Sequence, residues 1–145
     1  KRGLFGNILT EGMTDLRLAQ LAAVSDSDDP LVRIPAAIRA AVAWTASHQQ
    51  LASLFEFAHR DATFGPHARV LRELLIDDVV AELHQATSLG RIPGGNADSL
   101  ARCLLAVTEA LTTQGVRREG RPTDEVAEEV VRFCLEGIGA PRGHP

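Results

Sequence analysis

The sequence predicts an all-α fold, an antiparallel helical bundle of about six helices in one domain. Apolar residues recur every three or four positions along several long segments, and no segment alternates apolar with polar residues for long enough to form a strand. No internal repeat of fixed period is present. With 145 residues, of which 45% are hydrophobic, the chain is long enough to bury one core.

The first helix is predicted to run from about Gly3 to Val24. No capping residue stands ahead of its apolar positions, so we expect the helix to begin upstream of the given sequence. Gly3, Gly6 and Gly12 would make it pliable, although glycine is also simply tolerated within helices at a cost of about 1 kcal/mol each. The apolar stripe comprises Leu4, Ile8, Met13, Leu16, Leu18, Ala19 and Ala22.

An acidic run ends in Asp29 and Pro30, which predict the start of a second helix. Aspartate is a preferred N-cap residue, and proline suits the first helical position because its missing N–H is not needed there. We expect this helix to reach Ser47. Pro35 removes one backbone donor, so the helix either kinks there or truly begins near Ile34.

The apolar pattern is interrupted at residues 48–50, which predicts a tight bend followed by a short third helix. A loop from Arg60 should end at Gly65, after which Pro66 fits the first turn of a fourth helix. This helix should extend to Leu89, since glycine and proline residues follow it closely.

Asn96 is the predicted N-cap of the fifth helix, which should continue to Gln114. Thr123 is the predicted N-cap of the sixth helix, because acidic side chains occupy the turn that follows and favour a helix N-terminus. Gly137 and Gly139 should end that helix, since glycine readily adopts the left-handed conformation found just after helix C-termini.

Composition and charge narrow the function classes. The formal net charge is -4, and no helix carries the arginine stripe that a phosphate-binding surface requires, so this part of the protein should not bind nucleic acid. Arg117, Arg118 and Arg121 lie in a predicted turn, where solvated charge is expected. No apolar run approaches the roughly 18 residues of a membrane-spanning helix, so we expect no membrane partner and a cytoplasmic location.

No residue is predicted to be catalytic or to bind a metal. His59 with Asp61 forms no convincing catalytic group, and His84 lies on a different helix face from Asp78 and Glu82, so the spacing of helical metal sites is absent. A solvated acidic face is the preferred interpretation of those two carboxylates. Because neither a glycine-rich phosphate loop nor a nucleophile elbow is present, we expect neither an enzyme nor a cofactor.

The two cysteines, Cys103 and Cys134, occupy apolar helical positions. Neither has a second cysteine or a histidine at the spacing of a zinc site, and two cysteines do not make a disulfide framework. Both side chains are therefore predicted to be small buried hydrophobes.

The last two helices are apolar around more of their circumference than one core face requires. A second copy of the chain would cover the excess, so we predict a two-fold dimer in which these helices form a four-helix bundle. A monomer whose own helices cover both faces is the alternative. The predicted dimer residues are Leu100, Leu105, Leu111, Val126, Val130, Val131, Phe133 and Cys134.

Stretches at both ends and in the centre of the chain resemble TetR-family (tetracycline repressor) transcriptional regulators. Residues 1–9, Lys-Arg-Gly-Leu-Phe-Gly-Asn-Ile-Leu, resemble the helix that leaves the DNA-binding headpiece in that family. Residues 29–31 and 44–51 resemble the loop and the bent helix pair in the middle of such proteins. Residues 124–141, which contain the Gly-Ile-Gly stop, resemble the last helix.

The resemblance implies that residues 1–145 are the ligand-binding and dimerisation domain of a repressor. Residues 1–24 would connect it to a helix-turn-helix headpiece that precedes the given sequence. Lys1 would then stand near the DNA backbone, where a cation is useful, although an ordinary solvated terminal lysine is equally expected. The implied partners are operator DNA, a second copy of the chain, and a small hydrophobic or aromatic effector.

In such a dimer two recognition helices must stand about 34 Å apart, one turn of the duplex. A ligand can tilt the connecting helix and change this spacing only if it binds the DNA-incompetent arrangement more tightly. A helical protein–protein interaction module without a ligand is the alternative function. The candidate ligand-binding residues are Trp44, Phe55, Phe57, His59, Phe64, Leu71, Leu74, Leu75, Val79, Leu104, Val107 and Thr108.

Overall fold

A computed structural model describes residues 2–142, and its all-helical architecture confirms the predicted fold class. Within these residues the regular elements are six α-helices and one short π-helix. In chain order they are α1 (Arg2–Val24), α2 (Pro30–Ser47), α3 (Gln49–Arg60), α4 (Gly65–Ser88), α5 (Ala97–Thr112), the π-helix π1 (Thr113–Arg118) and α6 (Thr123–Gly137).

The loop between α1 and α2 ends in the predicted helix cap. The Asp29 carboxylate accepts a hydrogen bond from the Leu31 N–H at 3.0 Å, and Pro30 occupies the first helical position. Pro35 lies inside α2 without ending it, so a later start near Ile34 is wrong. The cap holds the beginning of α2 even though one donor is missing a turn further on.

The first two helices run in opposite directions. On α1 the Gln20 side chain donates to the Ala37 carbonyl, whereas the earlier Asp15 accepts from the indole of the later Trp44. The chain then bends at His48, as predicted, where the backbone leaves the helical region with φ -131° and ψ 46°. This bend starts α3 without an intervening loop.

The fifth helix changes from α-helical to π-helical winding before its predicted end at Gln114. Asn96 caps α5 as predicted, accepting from the Ser99 N–H at 2.9 Å. The α-helix, however, ends at Thr112, and the wider turns of π1 follow. A Cβ atom at Gly115 would lie 2.7 Å from a methyl group of Val126, so π1 brings its backbone directly against α6.

The predicted cap of the sixth helix is wrong by one residue. Pro122 is the N-cap residue, with an extended ψ of 129°, and Thr123 is already helical. The proline holds the non-helical conformation that an N-cap residue needs, so the threonine cannot serve in that position. Gly137 ends α6 as predicted, and Gly139, at φ 75°, donates to the Glu136 carbonyl to close the last turn.

Buried side chains form two apolar clusters. The larger, here called the main core, joins α2, α4, α5, π1 and α6 and includes Val42, Ile76 and Val130. The smaller, here called the α1 cluster, anchors α1 against α3 and α4. Its buried residues are Leu9, Met13, Ala58, Ala68, Leu71 and Leu75, and Phe5, Leu16, Leu54, Phe55, Phe64 and Leu105 pack around them.

Ion pairs connect α4 to the first two helices. Arg17 of α1 contacts Asp78 at 2.8 Å, and Arg33 of α2 contacts Glu82 at 2.8 Å. The solvated acidic face expected for these carboxylates is therefore wrong for Glu82, which is partly buried, whereas Asp78 remains exposed within its ion pair. The packing of α4 against both helices brings the arginines within reach, which a single helix pattern does not reveal.

Candidate functional site

Several predicted ligand-binding residues meet in the α1 cluster. Leu71 and Leu75 of α4 are buried there, and Phe55 and Phe64 pack against them, each partly exposed. Leu9 of α1 is fully buried in the same cluster. Any molecule that entered this cluster would therefore contact α1 directly.

The other predicted residues lie outside that cluster. Leu104 is buried in the main core, and the hydroxyl of the buried Thr108 donates to its carbonyl at 2.7 Å. Phe57 and Leu74 are exposed. The predicted set therefore does not line one site. The candidates partly buried against the main core are Val79 and Val107.

A group of phenylalanines closes one side of the α1 cluster. The ring of Phe5 lies 4.3 Å from that of Phe64 and 6.1 Å from that of Phe57, the latter edge to face. Edge-to-face and tilted rings are the favourable arrangements of aromatic pairs. Phe5 was not among the predicted ligand-binding residues, although its helical spacing to Leu9 and Met13 was a usable signal.

His59 is the titratable residue among the ligand-binding candidates on α3. Burial lowers its pKa; the Glu109 carboxylate opposes this change, whereas Arg72 and Arg69 add to it. Arg72 and Glu109 themselves pair at 2.7 Å across α4 and α5. A neutral imidazole is favoured here, and it can both donate and accept a hydrogen bond.

Trp44 occupies a polar junction, not an apolar pocket. Its indole N–H donates to Asp15 of α1 at 2.7 Å, and its ring stacks on His48 with centroids 4.4 Å apart. The His48 Nε2 atom lies 3.7 Å from the same carboxylate. These three side chains join α1 to the bend between α2 and α3.

Two adjoining surface grooves run along α3, and we call them together the α3 groove. Their volumes are about 260 and 340 Å³. The first is lined by Gln49, Gln50, Ser53, Glu56, Thr113, Arg117 and Arg118, and the second by Ser53, Glu56, Phe57, Arg60 and Asp61.

Arg117 is held in the α3 groove, with only 15% of its side chain exposed. It donates to Glu56 at 2.9 Å and to the Ser53 hydroxyl. The expectation of a solvated arginine is therefore wrong for this residue. The role of Arg117 is not evident from the sequence, because π1 turns this residue towards α3 and nothing in the local pattern signals a π-helix.

The predicted dimer residues fall into three groups by exposure. The exposed one is Phe133, with 60% relative exposure. Leu100, Leu105 and Leu111 are partly buried against the core. The residues whose side chains are already covered by the chain's own main core are Val126, Val130, Val131 and Cys134.

The cysteines differ in environment. Cys134 is buried, and burial raises the pKa of its thiol, as expected of an inert structural cysteine. Cys103 is exposed, so the prediction that it is buried is wrong. Its apolar neighbours in sequence face two directions on α5, and Cys103 lies on the outer face with Ala106 and Ala110.

Three remaining expectations concern DNA, metals and membranes. Lys1, the candidate for DNA-backbone contact, lies outside the described residues. Among residues 2–142, no three His, Cys, Asp or Glu side chains are grouped so that they could hold a metal ion. None of the helices in that range is both long and apolar enough to cross a membrane.

Comparison with protein-family profiles finds no match, and comparison with curated proteins finds none either. Solved structures, in contrast, share the fold. A protein of unknown function from Rhodococcus sp. RHA1 has a TM-score of 0.77 and 20% identity, over 96% of this chain and 73% of that one.

Two solved structures of assigned family are also similar. A regulator from Syntrophomonas wolfei, provisionally assigned to the TetR family, has a TM-score of 0.82 at 14% identity, over 99% of this chain and 76% of that one. A regulatory protein of the TetR family from Rhodococcus RHA1 has a TM-score of 0.82 at 15% identity, over 97% of this chain and 75% of that one. The chain therefore has the fold found in TetR-family regulators.

Proposed function

We propose that this chain is the ligand-binding and dimerisation domain of a TetR-family transcriptional repressor, with no catalytic activity of its own. The observation that carries the proposal is the shared fold over nearly the whole chain. In the proposal, a helix-turn-helix headpiece precedes α1 and binds operator DNA in the cytoplasm. The chain itself, with a net charge of -4, supplies regulation and not the phosphate contacts.

The effector in this proposal is a small apolar or aromatic molecule that enters the α1 cluster. Leu9 and Met13 of α1 share that cluster with Leu71 and Leu75 of α4. Separating α1 from α4 to admit a ligand would tilt α1 and change the spacing of the two headpieces. The ligand weakens DNA binding only to the extent that it binds the arrangement with α1 tilted more tightly than the DNA-competent one.

The proposed dimer uses the outer faces of α5 and α6. On α5 the exposed residues Cys103, Ala106 and Ala110 are small and uncharged, which permits close approach of a second helix. On α6 the exposed ring of Phe133 supplies apolar area. This surface replaces the buried valines of α6 as the contact with a partner, because the main core already covers them.

The upstream reading frame of the parent gene tests the headpiece. A short helical segment with a helix-turn-helix and basic residues, expressed with this chain, should bind duplex DNA in a salt-dependent manner. A frame without such a segment would exclude the repressor and favour the interaction module.

Methyl-labelled NMR tests the ligand site with no change to the protein. Aromatic compounds that raise the melting temperature should shift the methyl resonances of Leu9, Leu71 and Leu75, while those of Val42 and Val130 in the main core serve as controls. Shifts confined to the main core would place the ligand elsewhere.

Light scattering at micromolar concentration tests the dimer, which should have twice the 15.6 kDa mass of the chain. Ala106→Arg should convert it to monomer, because an unpaired charge would be buried at the centre of the contact. Ala23→Arg, at an exposed position near the end of α1, is the matched control and should leave the dimer intact. A wild-type monomer contradicts the dimer.

A further inference from the structure

The α3 groove has a fixed polar floor. Arg117 reaches from π1 to α3 and donates to both Glu56 and Ser53, the two residues that line both halves of the groove. Because Arg117 is held from two sides, the floor is ordered before any ligand arrives. Such preorganisation reduces the entropic cost of binding.

Positive charge exceeds negative charge along this groove. Arg117 lies 2.9 Å and Arg60 3.4 Å from the Glu56 carboxylate. The pKa of Glu56 is lowered chiefly by the Arg117 hydrogen bond, and Arg60 and Arg118 lower it further. Three guanidinium groups therefore surround one carboxylate.

The second carboxylate of the groove is already engaged. One Asp61 oxygen accepts hydrogen bonds from the backbone N–H groups of Thr63 and Phe64, at 2.8 and 2.9 Å. Among the described residues Arg118 forms no ion pair. A full positive charge therefore remains on the exposed side of π1 in a chain that is negative overall.

We propose that the α3 groove binds a small organic carboxylate with an aromatic portion. The carboxylate would pair with Arg118, beside the Gln50 side chain and the Thr113 hydroxyl that line the same half. The aromatic portion would lie on Phe57, which is 54% exposed and lines the adjoining half.

The chemistry and size of the groove favour this class of ligand. A guanidinium group presents a planar fork of donors that matches a carboxylate, and the pair is stronger than a neutral hydrogen bond. The two halves, about 260 and 340 Å³, suit a small molecule in contrast to a macromolecule. The site adjoins the α1 cluster at Phe57, whose ring contacts Phe5, but its carboxylate-binding half lies on π1 and α3 and does not depend on the proposed apolar effector.

The site is tested by titrating the whole chain with naphthalene-2-carboxylate. Binding is measured by calorimetry, and its location by amide NMR. Naphthalene-2-carboxamide has the same shape without the charge and is the matched probe. We expect the carboxylate to bind at least about tenfold more tightly, with amide shifts at Ser53, Thr113 and Arg118, and to weaken as salt is raised.

Arg118→Gln should reduce carboxylate affinity by about tenfold while leaving the melting temperature unchanged, since this side chain is exposed. Arg132→Gln removes an exposed arginine of α6 that does not line the groove, and it should not change the affinity.

Absence of carboxylate binding, equal binding of the two probes, or equal affinity in Arg118→Gln would each overturn the site. Amide shifts confined to the α1 cluster would also exclude the groove. That last result would leave the proposed apolar-ligand site intact, so failures of the two proposals are distinguishable.

Discussion

The hydrogen bond from Trp44 to Asp15 should stabilise the attachment of α1 to α2 by about 1 kcal/mol. The two heavy atoms are 2.7 Å apart, and Trp44 is only 7% exposed. A hydrogen bond to a charged acceptor contributes roughly 1.5–3 kcal/mol when both groups are protected. The side chain of Asp15 is 61% exposed, so water competes for the carboxylate and a value below this range, about 1 kcal/mol, is appropriate.

A double-mutant cycle measures this contribution. Asp15→Ala and Trp44→Phe, singly and together, should give a coupling free energy of about 1 kcal/mol from urea unfolding followed by circular dichroism. Asp15→Ala alone should lower the melting temperature by about 2–4 °C for a chain of this length. Because Trp44 is the single tryptophan and no tyrosine is present, its fluorescence should also change in Asp15→Ala.

A coupling below about 0.3 kcal/mol would refute the reasoning, since it would mean that the two side chains act independently. Equal urea dependence in all variants is required for the comparison, because a change in slope would signal an altered unfolded or native state. Thr14→Ala, which removes an exposed side chain next to Asp15, is a suitable control and should not couple to Trp44→Phe.

Two further predictions concern the packing of α6. Gly115→Ala should destabilise the chain by about 1–3 kcal/mol in urea unfolding, because the added methyl group meets Val126 at 2.7 Å. Gly137→Ala is the control and should not destabilise the chain, because open space surrounds that position. Equal stability of the two variants would contradict the close approach of π1 to α6. The Arg39 hydrogen bond lowers the pKa of Glu128, so this pair stabilises the fold above the ordinary glutamate pKa and the benefit is lost as pH falls through the lowered value. Arg39→Gln should therefore cost up to about 1 kcal/mol at pH 7 and nothing near pH 2, as measured by thermal unfolding at both values; a cost that persists at the lower pH would rule out the ion pair.

Helix boundaries set by local chemistry were predictable from the sequence. Asp29 and Asn96 cap their helices with their own side chains, and the predictive signal is complete within a few neighbouring residues. The cap assigned to Thr123 failed because Pro122 competes for the same position. Local rules rank residue types well but do not decide between adjacent candidates.

Features that depend on packing between helices were not predictable in the same way. The exposure of Cys103 and the burial of Arg117 each depend on how far a helix is rotated about its axis, and π1 adds a rotation that the apolar pattern does not contain. The α1 cluster was recovered in part, through Leu71 and Leu75, because long apolar side chains on a central helix are buried in most arrangements.

The two kinds of contact along α1 suggest how a ligand would move it in the proposed regulator. The first half of α1 is held by apolar packing around Leu9 and by the His67 ring, whose Nε2 atom lies 3.0 Å from the Thr10 hydroxyl and 3.3 Å from the Gly6 carbonyl. The second half is held by the hydrogen bond of Asp15 with Trp44 and by the ion pair of Arg17 with Asp78. Apolar packing is not directional and can re-form on a ligand that fills the space between the helices, whereas a hydrogen bond weakens steeply when its angle changes. A ligand in the α1 cluster should therefore displace the first half about a pivot near Asp15. In Asp15→Ala the pivot is weakened, so the same ligand should cause a smaller displacement at the start of α1. This displacement is measured as the ligand-induced change in the distance between spin labels at positions 7 and 81, which should be smaller in the variant.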